Sequence, residues 1–188
     1  YSVDVANTVL AATKALKQHN GHVKILAGGT DLMVELECGN LKHKNILSII
    51  GIEELKDFEE FDDHVEIGAL VTYSLIQKCE PILYTFPNLF VAAAETGAWA
   101  IQNRGTIGGN IANASPAADA VPALLCYDAS VEIAGDDETR TVELKNFFKG
   151  YKNTDLKATE LLTKIHLPTI FEGWVHYYRK VGTRRMQA

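Results

Sequence analysis

Two short glycine loops hold most of the chemistry this sequence offers. The first, Ala27-Gly28-Gly29-Thr30-Asp31, follows an apolar run, and the second, Thr106-Ile107-Gly108-Gly109-Asn110, follows Arg104-Gly105. Glycine lets backbone N–H groups approach a phosphate with no Cβ in the way, and it permits the positive φ that turns successive N–H groups inward. Each loop is therefore able to hold one phosphate, although either alone reads equally well as a tight turn. Neither is a GxGxxG fingerprint, and the chain contains no GxxxxGK[ST], which disfavours ordinary NAD-fold and P-loop binding. Just beyond the second loop, Asn110, Asn113, Ser115 and Asp119 concentrate short hydrogen-bonding side chains suited to ribose or ribityl hydroxyls and pyrophosphate oxygens. Ser115-Pro116 reads as the N-cap and first residue of a helix whose N-terminus would face an anion. The competing use of these side chains is to cap their own loop and helix.

Other chemistries find little support. No serine sits in a GxSxG elbow, and the histidines at 19, 22, 43, 64, 166 and 176 fall in no HExxH or paired-ligand spacing, so they read as scattered solvent or strand residues and no metal site is expected. The acidic run over 53–63 lacks the DxDxDG pattern of a calcium loop and reads as a solvated hairpin face. Trp99 is able to stack on a flat ring, but a lone Trp more often packs. Cys38, Cys79 and Cys126 form no CxxC, so free thiols in a reducing, cytoplasmic setting are expected. With no acid, base, nucleophile or metal of its own, an enzyme component built on this site would depend on a cofactor for its chemistry.

The elements that must position these residues follow from periodicity. Apolar spacing at Val5, Val9, Ala12 and Leu16 predicts a helix over 4–18 capped by Asp4. Residues 22–27 predict a strand, 32–36 a short helix capped from Thr30-Asp31, and 45–50 a second strand, giving a βα unit with parallel pairing. After Gly51 the pattern changes to a hairpin, with strands over 55–58 and 64–69. A helix over 73–79 stopped by Pro81, and one over 89–98 capped by Asn88, are expected next, while Pro122 should kink or restart a third. Strands are predicted over 131–134, 139–144, 161–167 and 174–180. The division expected is a small α/β subdomain (1–52), a larger α+β subdomain (53–180) with a cleft between them, and the start of a further C-terminal domain (181–188).

The 188 residues are 47% hydrophobic and 22% charged, an ordinary globular balance. Eighteen basic against twenty-four acidic residues leave a net charge of −6, which argues against nucleic acid or an anionic membrane as partner. No stretch approaches the ~18 consecutive apolar residues of a membrane helix.

The segments LAGGTDL (26–32) and QNRGTIGGNIANASPAAD (102–119), with Glu160-Leu161-Leu162 and the Arg179-Lys180-Val181-Gly182-Thr183-Arg184 run, resemble the FAD-binding medium subunit of molybdenum hydroxylases, the xanthine, carbon monoxide and nicotinate dehydrogenase group. The resemblance implies an α+β, vanillyl-alcohol-oxidase (PCMH) type fold of two α/β subdomains with FAD in the cleft between them. It implies that Ile25, Leu26, Ala27, Gly28, Gly29, Thr30, Asp31 and Leu32 line one phosphate loop. Thr106, Gly109, Asn110, Asn113 and Ser115 would line the other, with Asp119 holding sugar hydroxyls. Leu161 and Leu162 would lie near the flavin or adenine rings, and Lys180 matches a basic residue near the flavin. The implied partners are a molybdopterin-containing large subunit, a [2Fe–2S] small subunit that reduces the flavin, and NAD⁺ or another acceptor. Two alternatives are a scaffold subunit of the same complex without flavin and a stand-alone FAD-linked oxidase. The cysteine-ligated cluster of the 4-hydroxybenzoyl-CoA reductase branch has no counterpart here.

Overall fold

The computed structural model describes residues 1–181. Its N-terminal part is a three-stranded sheet in the order β1-β3-β2, formed by β1 (Ser2–Val5), β2 (Lys24–Leu26) and β3 (Asn45–Ser48), all parallel. Parallel neighbours need crossovers, and α1 (Val9–Gln18) and α2 (Leu32–Glu37) provide them. The expected helix over 4–18 therefore begins late. Ser2 to Val5 pair with Asn45 to Ser48, and Thr8, not Asp4, caps α1 by accepting from Ala11 N at 3.1 Å. The Val3-Asp4-Val5 alternation is a strand signal that the helical spacing had absorbed, and Asp4 instead faces His19 at 2.8 Å.

The second part is built on a five-stranded antiparallel sheet in the order β4-β5-β10-β6-β7. Its strands are β4 (Phe58–Glu60), β5 (His64–Gly68), β6 (Ser130–Ala134), β7 (Thr139–Glu143) and β10 (Leu161–Pro168), while β8 (Phe148–Gly150) and β9 (Asn153–Thr154) form a separate hairpin. Helices α3 (Tyr73–Ile76), α4 (Glu80–Thr85), α5 (Pro87–Glu95), α6 (Trp99–Gln102), α7 (Ile107–Asn113), α8 (Ala120–Cys126) and α9 (Leu144–Phe147) lie along the chain between these strands. Strand alternation decides the two faces. Val65, Ile67, Val131, Ile133, Ile165 and Leu167 point into one core with Ile76, Phe86, Leu89, Ile107 and Leu124 from the helices. Each such side chain contributes about 1.5–3 kcal/mol by leaving water. The intervening positions His64, Glu66, Glu132, Lys164 and His166 share the other face.

Several expected boundaries shift for local reasons. Residues 53–55 form a 3-10 turn, and the first hairpin strand starts only at Phe58, because Leu55 is buried between the two parts and Gly68 gives its carbonyl room. Pro81 does not stop a helix; it sits in the first turn of α4, where a missing N–H costs nothing. Asn88 lies inside α5, its N–H donating to Tyr127 Oη at 3.0 Å, because Pro87 takes the first position. Pro122 is likewise accommodated in the first turn of α8. Ser115-Pro116 opens no helix, since Ser115 Oγ accepts from Ala117 N at 3.3 Å in a local turn and α8 begins at Ala120. The segment over 174–180 is not a strand. Its alternation is real, with His176, Tyr178 and Lys180 turned inward, yet their partners are Tyr127, Asp119 and Glu95 and not a neighbouring strand. Residues 182–188, with most of the expected C-terminal extension, lie outside the described residues. Among the described residues no helix is long and apolar enough to cross a membrane.

Candidate functional site

The two glycine loops meet. A Cβ on Gly28 would fall 1.9 Å from the carbonyl oxygen of Arg104, so only glycine lets the first loop lie against the second. Across the junction Asn113 Nδ2 donates to Asp31 Oδ1 at 2.9 Å, joining the end of α7 to the start of α2 over 82 residues of sequence. That contact replaces the expected capping role of Asp31, whose side chain makes no cap hydrogen bond.

The loops differ in what their backbone has left to give. In the second, Ile107 N donates to Val71 O at 2.9 Å, Gly108 N to Ala69 O at 3.0 Å, Gly109 N to the capping hydroxyl of Thr106 at 3.1 Å, and Asn110 N to Thr106 O at 3.0 Å. All four leading N–H groups are thus used inside the protein. Gly108 serves close packing, because a Cβ there would lie 2.5 Å from that of Ala69. In the first loop the N–H groups of Gly28, Gly29, Thr30 and Asp31 find no backbone acceptor among the described residues, and Gly29 has φ +80°, the conformation that gathers successive N–H groups on one side. The expectation that each loop offers phosphate donors therefore narrows to the first loop. The second supplies side chains.

Those side chains include two orphans. Asn110 Oδ1 and Tyr73 Oη are both buried with no hydrogen-bond partner among the described residues. Asn110 sits one turn before Asn113, on the same face of α7. Tyr73 packs beside Gly105, and its hydroxyl is pushed well above the usual phenol range by burial, with the carboxylates of Asp119 and Asp31 adding to the effect. A buried polar atom without a partner costs about 1–3 kcal/mol. Two beside one unspent backbone loop fit a polyhydroxylated, phosphate-bearing ligand. Tyr73 was not legible as a site residue, since a Tyr at helical spacing reads as core.

The remaining expected residues are placed as follows. Asp119 is 9% exposed, and its Oδ2 receives Lys180 Nζ at 2.7 Å, while the same ammonium donates to Glu95 O at 3.0 Å. Lys180 therefore orients Asp119 and leaves Oδ1 for a ligand. Thr106 caps α7, and Ser115 turns the loop that follows it. Ile25, Leu26, Ala27 and Leu32 contribute to the apolar clusters of the N-terminal part, flanking the loop without extending it. Leu161 and Leu162 are 3% and 4% exposed, their side chains turned into the cores where they meet no open surface. Trp99 does not pack; it is 78% exposed at the start of α6. A cavity of about 550 Å³ does lie between the two parts, at Val9 and the outer face of the large sheet. Glu54, Asp57, Glu59, Glu66 and Glu132 line it against the single ammonium of Lys164, a field that repels a pyrophosphate.

A family profile described as the FAD binding domain in molybdopterin dehydrogenase matches residues 2–170. The chain belongs to this family. It is 33% identical over 179 residues to the glyceraldehyde dehydrogenase medium chain of Sulfolobus acidocaldarius, covering 95% of this chain and 63% of that protein. It is 35% identical over 144 residues to the nicotinate dehydrogenase FAD-subunit of Eubacterium barkeri, covering 75% of this chain and 49% of that one. The structure superposes with a TM-score of 0.87 at 28% identity on carbon monoxide dehydrogenase from Hydrogenophaga pseudoflava, covering 89% of this chain and 58% of that one. The chain thus spans between about half and two thirds of the length of these relatives. The fold is the PCMH-type FAD-binding fold, and FAD is the cofactor of the domain. The orphaned oxygens and the free N–H groups of the first loop fit that molecule's hydroxyls and pyrophosphate.

Proposed function

We propose that this FAD-binding domain is the electron-transfer element of a molybdenum hydroxylase. In this reading a molybdopterin subunit oxidises the substrate, a [2Fe–2S] subunit hands the electrons on, and NAD⁺ or another acceptor takes them from the flavin. The observation that supports it best is the junction of the two glycine loops, which combines four N–H groups and two buried side-chain oxygens that have no partner among the described residues. Bound FAD supplies the exchange between one-electron input and two-electron output. The chain's own residues hold and orient it. The N–H groups of Gly28 to Asp31 take pyrophosphate oxygens, Asn110 Oδ1 and Tyr73 Oη bind hydroxyls, and Asn113 keeps the two loops in register through Asp31. Asp119, fixed by Lys180, accepts from a sugar hydroxyl through its free oxygen. No acid or base from this chain is required, because the bond-breaking step belongs to the molybdenum subunit.

The test uses the full-length protein purified with its native partners. Aldehyde and N-heteroaromatic substrates, such as glyceraldehyde and nicotinate, are assayed with NAD⁺ and with artificial acceptors before and after flavin removal. Iron–sulfur reduction by substrate should survive deflavination while transfer to the acceptor is lost and returns with added FAD. Acceptor turnover that persists without flavin would overturn the reading.

A further inference from the structure

The outer face of the large sheet, away from the glycine loops, brings together three residues that the sequence keeps apart. His64 and Glu66 occupy alternate positions of β5, and His166 lies opposite Glu66 on β10. One ligand atom from each lies within 4.8 Å of the others. Glu66 Oε1 is 3.2 Å from His166 Nδ1 and 3.5 Å from His64 Nε2. Four-coordinate Zn²⁺ with bonds of about 2.0–2.1 Å holds neighbouring ligand atoms roughly 3.3 Å apart, so these separations already match a metal's edges.

The contacts around the cluster hold its ligand atoms toward one another. His64 Nδ1 lies 2.6 Å from Asp63 Oδ1, and a carboxylate only accepts, so a proton sits on Nδ1, and in the neutral ring the lone pair of Nε2 points toward Glu66. A second ring proton, as in the imidazolium, or a metal ion in its place satisfies the two facing acceptors. Lys164 already serves the other oxygen of Glu66 and leaves Oε1 to the imidazoles. His166 Nε2 is buried with no partner, so its ring is not held there by hydrogen bonds among the described residues. Phe61 stacks on His64 at a centroid distance of 4.6 Å and 5° between planes, fixing the ring's direction. A carboxylate on the far nitrogen of a ligating histidine is the usual outer support of a metal site.

We propose that His64, Glu66 and His166 bind one divalent transition cation of the Zn²⁺ class, with Asp63 orienting His64 and solvent in the fourth position. The side chains of the three are 29%, 13% and 19% exposed, which leaves an entry path from solvent. Such an ion clamps β5 to β10 beside the acidic cavity, whose Glu59 and Glu132 add to the attraction for a cation.

The full-length, tag-free protein is stripped with chelator, dialysed against Zn²⁺, gel-filtered and analysed for metal. The wild type should retain one more equivalent than the His64→Gln/His166→Gln double variant, and Asp63→Asn should weaken Zn²⁺ binding by about 10- to 100-fold. Flavin content and thermal unfolding report folding independently. The single variant Glu66→Gln, which keeps the side-chain shape, should lose the same equivalent if the double variant is unstable. Equal zinc content in wild type and folded variants would overturn the assignment.

Discussion

Gly29 offers the sharpest test of where the phosphate contacts come from. It has φ +80°, and a Cβ there would meet only the flexible end of Leu26 at 3.3 Å and Met33 at 3.8 Å. Gly29→Ala therefore imposes backbone strain without a serious clash, about 1–2 kcal/mol for a left-handed alanine. Gly39 provides the matched control, with φ +69° and nothing within 4 Å of its would-be Cβ, in the turn after α2. Both variants should lose about 1–2 kcal/mol of stability or relax their turns. Only in Gly29→Ala does relaxation scatter the N–H groups that the cofactor must find, so the strain is charged to binding. At about 1.4 kcal/mol per decade, its Kd for FAD should rise roughly 5- to 30-fold. Flavin-fluorescence titration of the full-length apoprotein, alongside urea unfolding, measures both quantities. Unchanged FAD affinity in Gly29→Ala, or an equal loss in Gly39→Ala, would refute the assignment of the first loop as phosphate cradle.

Tyr73→Phe removes a buried hydroxyl that has no partner among the described residues, so the apoprotein should gain about 1–3 kcal/mol in urea while FAD binds less tightly. Asn113→Ala cuts the 2.9 Å tie to Asp31 and should weaken FAD binding about fivefold, roughly 1 kcal/mol, with little change in unfolding. The guanidinium of Arg140 donates to Glu160 at 3.0 and 2.8 Å, and with Lys157 N at 2.9 Å it holds that carboxyl down at about 2. A depressed carboxyl stabilises the fold above its unfolded value of 4.5 and loses that contribution as pH falls toward 2. Glu160→Gln should therefore cost about 2–3 kcal/mol near pH 7 and flatten the acid limb of the stability profile between pH 4.5 and 2, checked by denaturant midpoints at each pH.

Local pattern determined much of this protein. The strand over 22–27, the short helix after Gly28-Gly29, the hairpin around Gly135-Asp136-Asp137 and the long strand from Leu161 all follow from periods of 2 and 3.6 and from turn chemistry. The two glycine loops and the polar run from Asn110 to Asp119 were legible because glycine and short polar side chains are scarce outside such uses. What the residues could not show is which groups are already spent. In sequence each loop reads as able to hold one phosphate, yet in the second the carbonyls of Val71 and Ala69 accept two N–H groups and Thr106 accepts the other two, while those of the first loop find no acceptor among the described residues. Tyr73 and Lys180 reach the site only through packing of α3 and the last described residues, across 46 and 61 positions from Asp119. His64 and His166 lie 102 residues apart and meet because antiparallel pairing puts them on one face of neighbouring strands. Sequence spacing sees hydrogen bonds and ligands within a few residues; strand register and loop contact decide the rest, since only they set which distant donors and acceptors find one another.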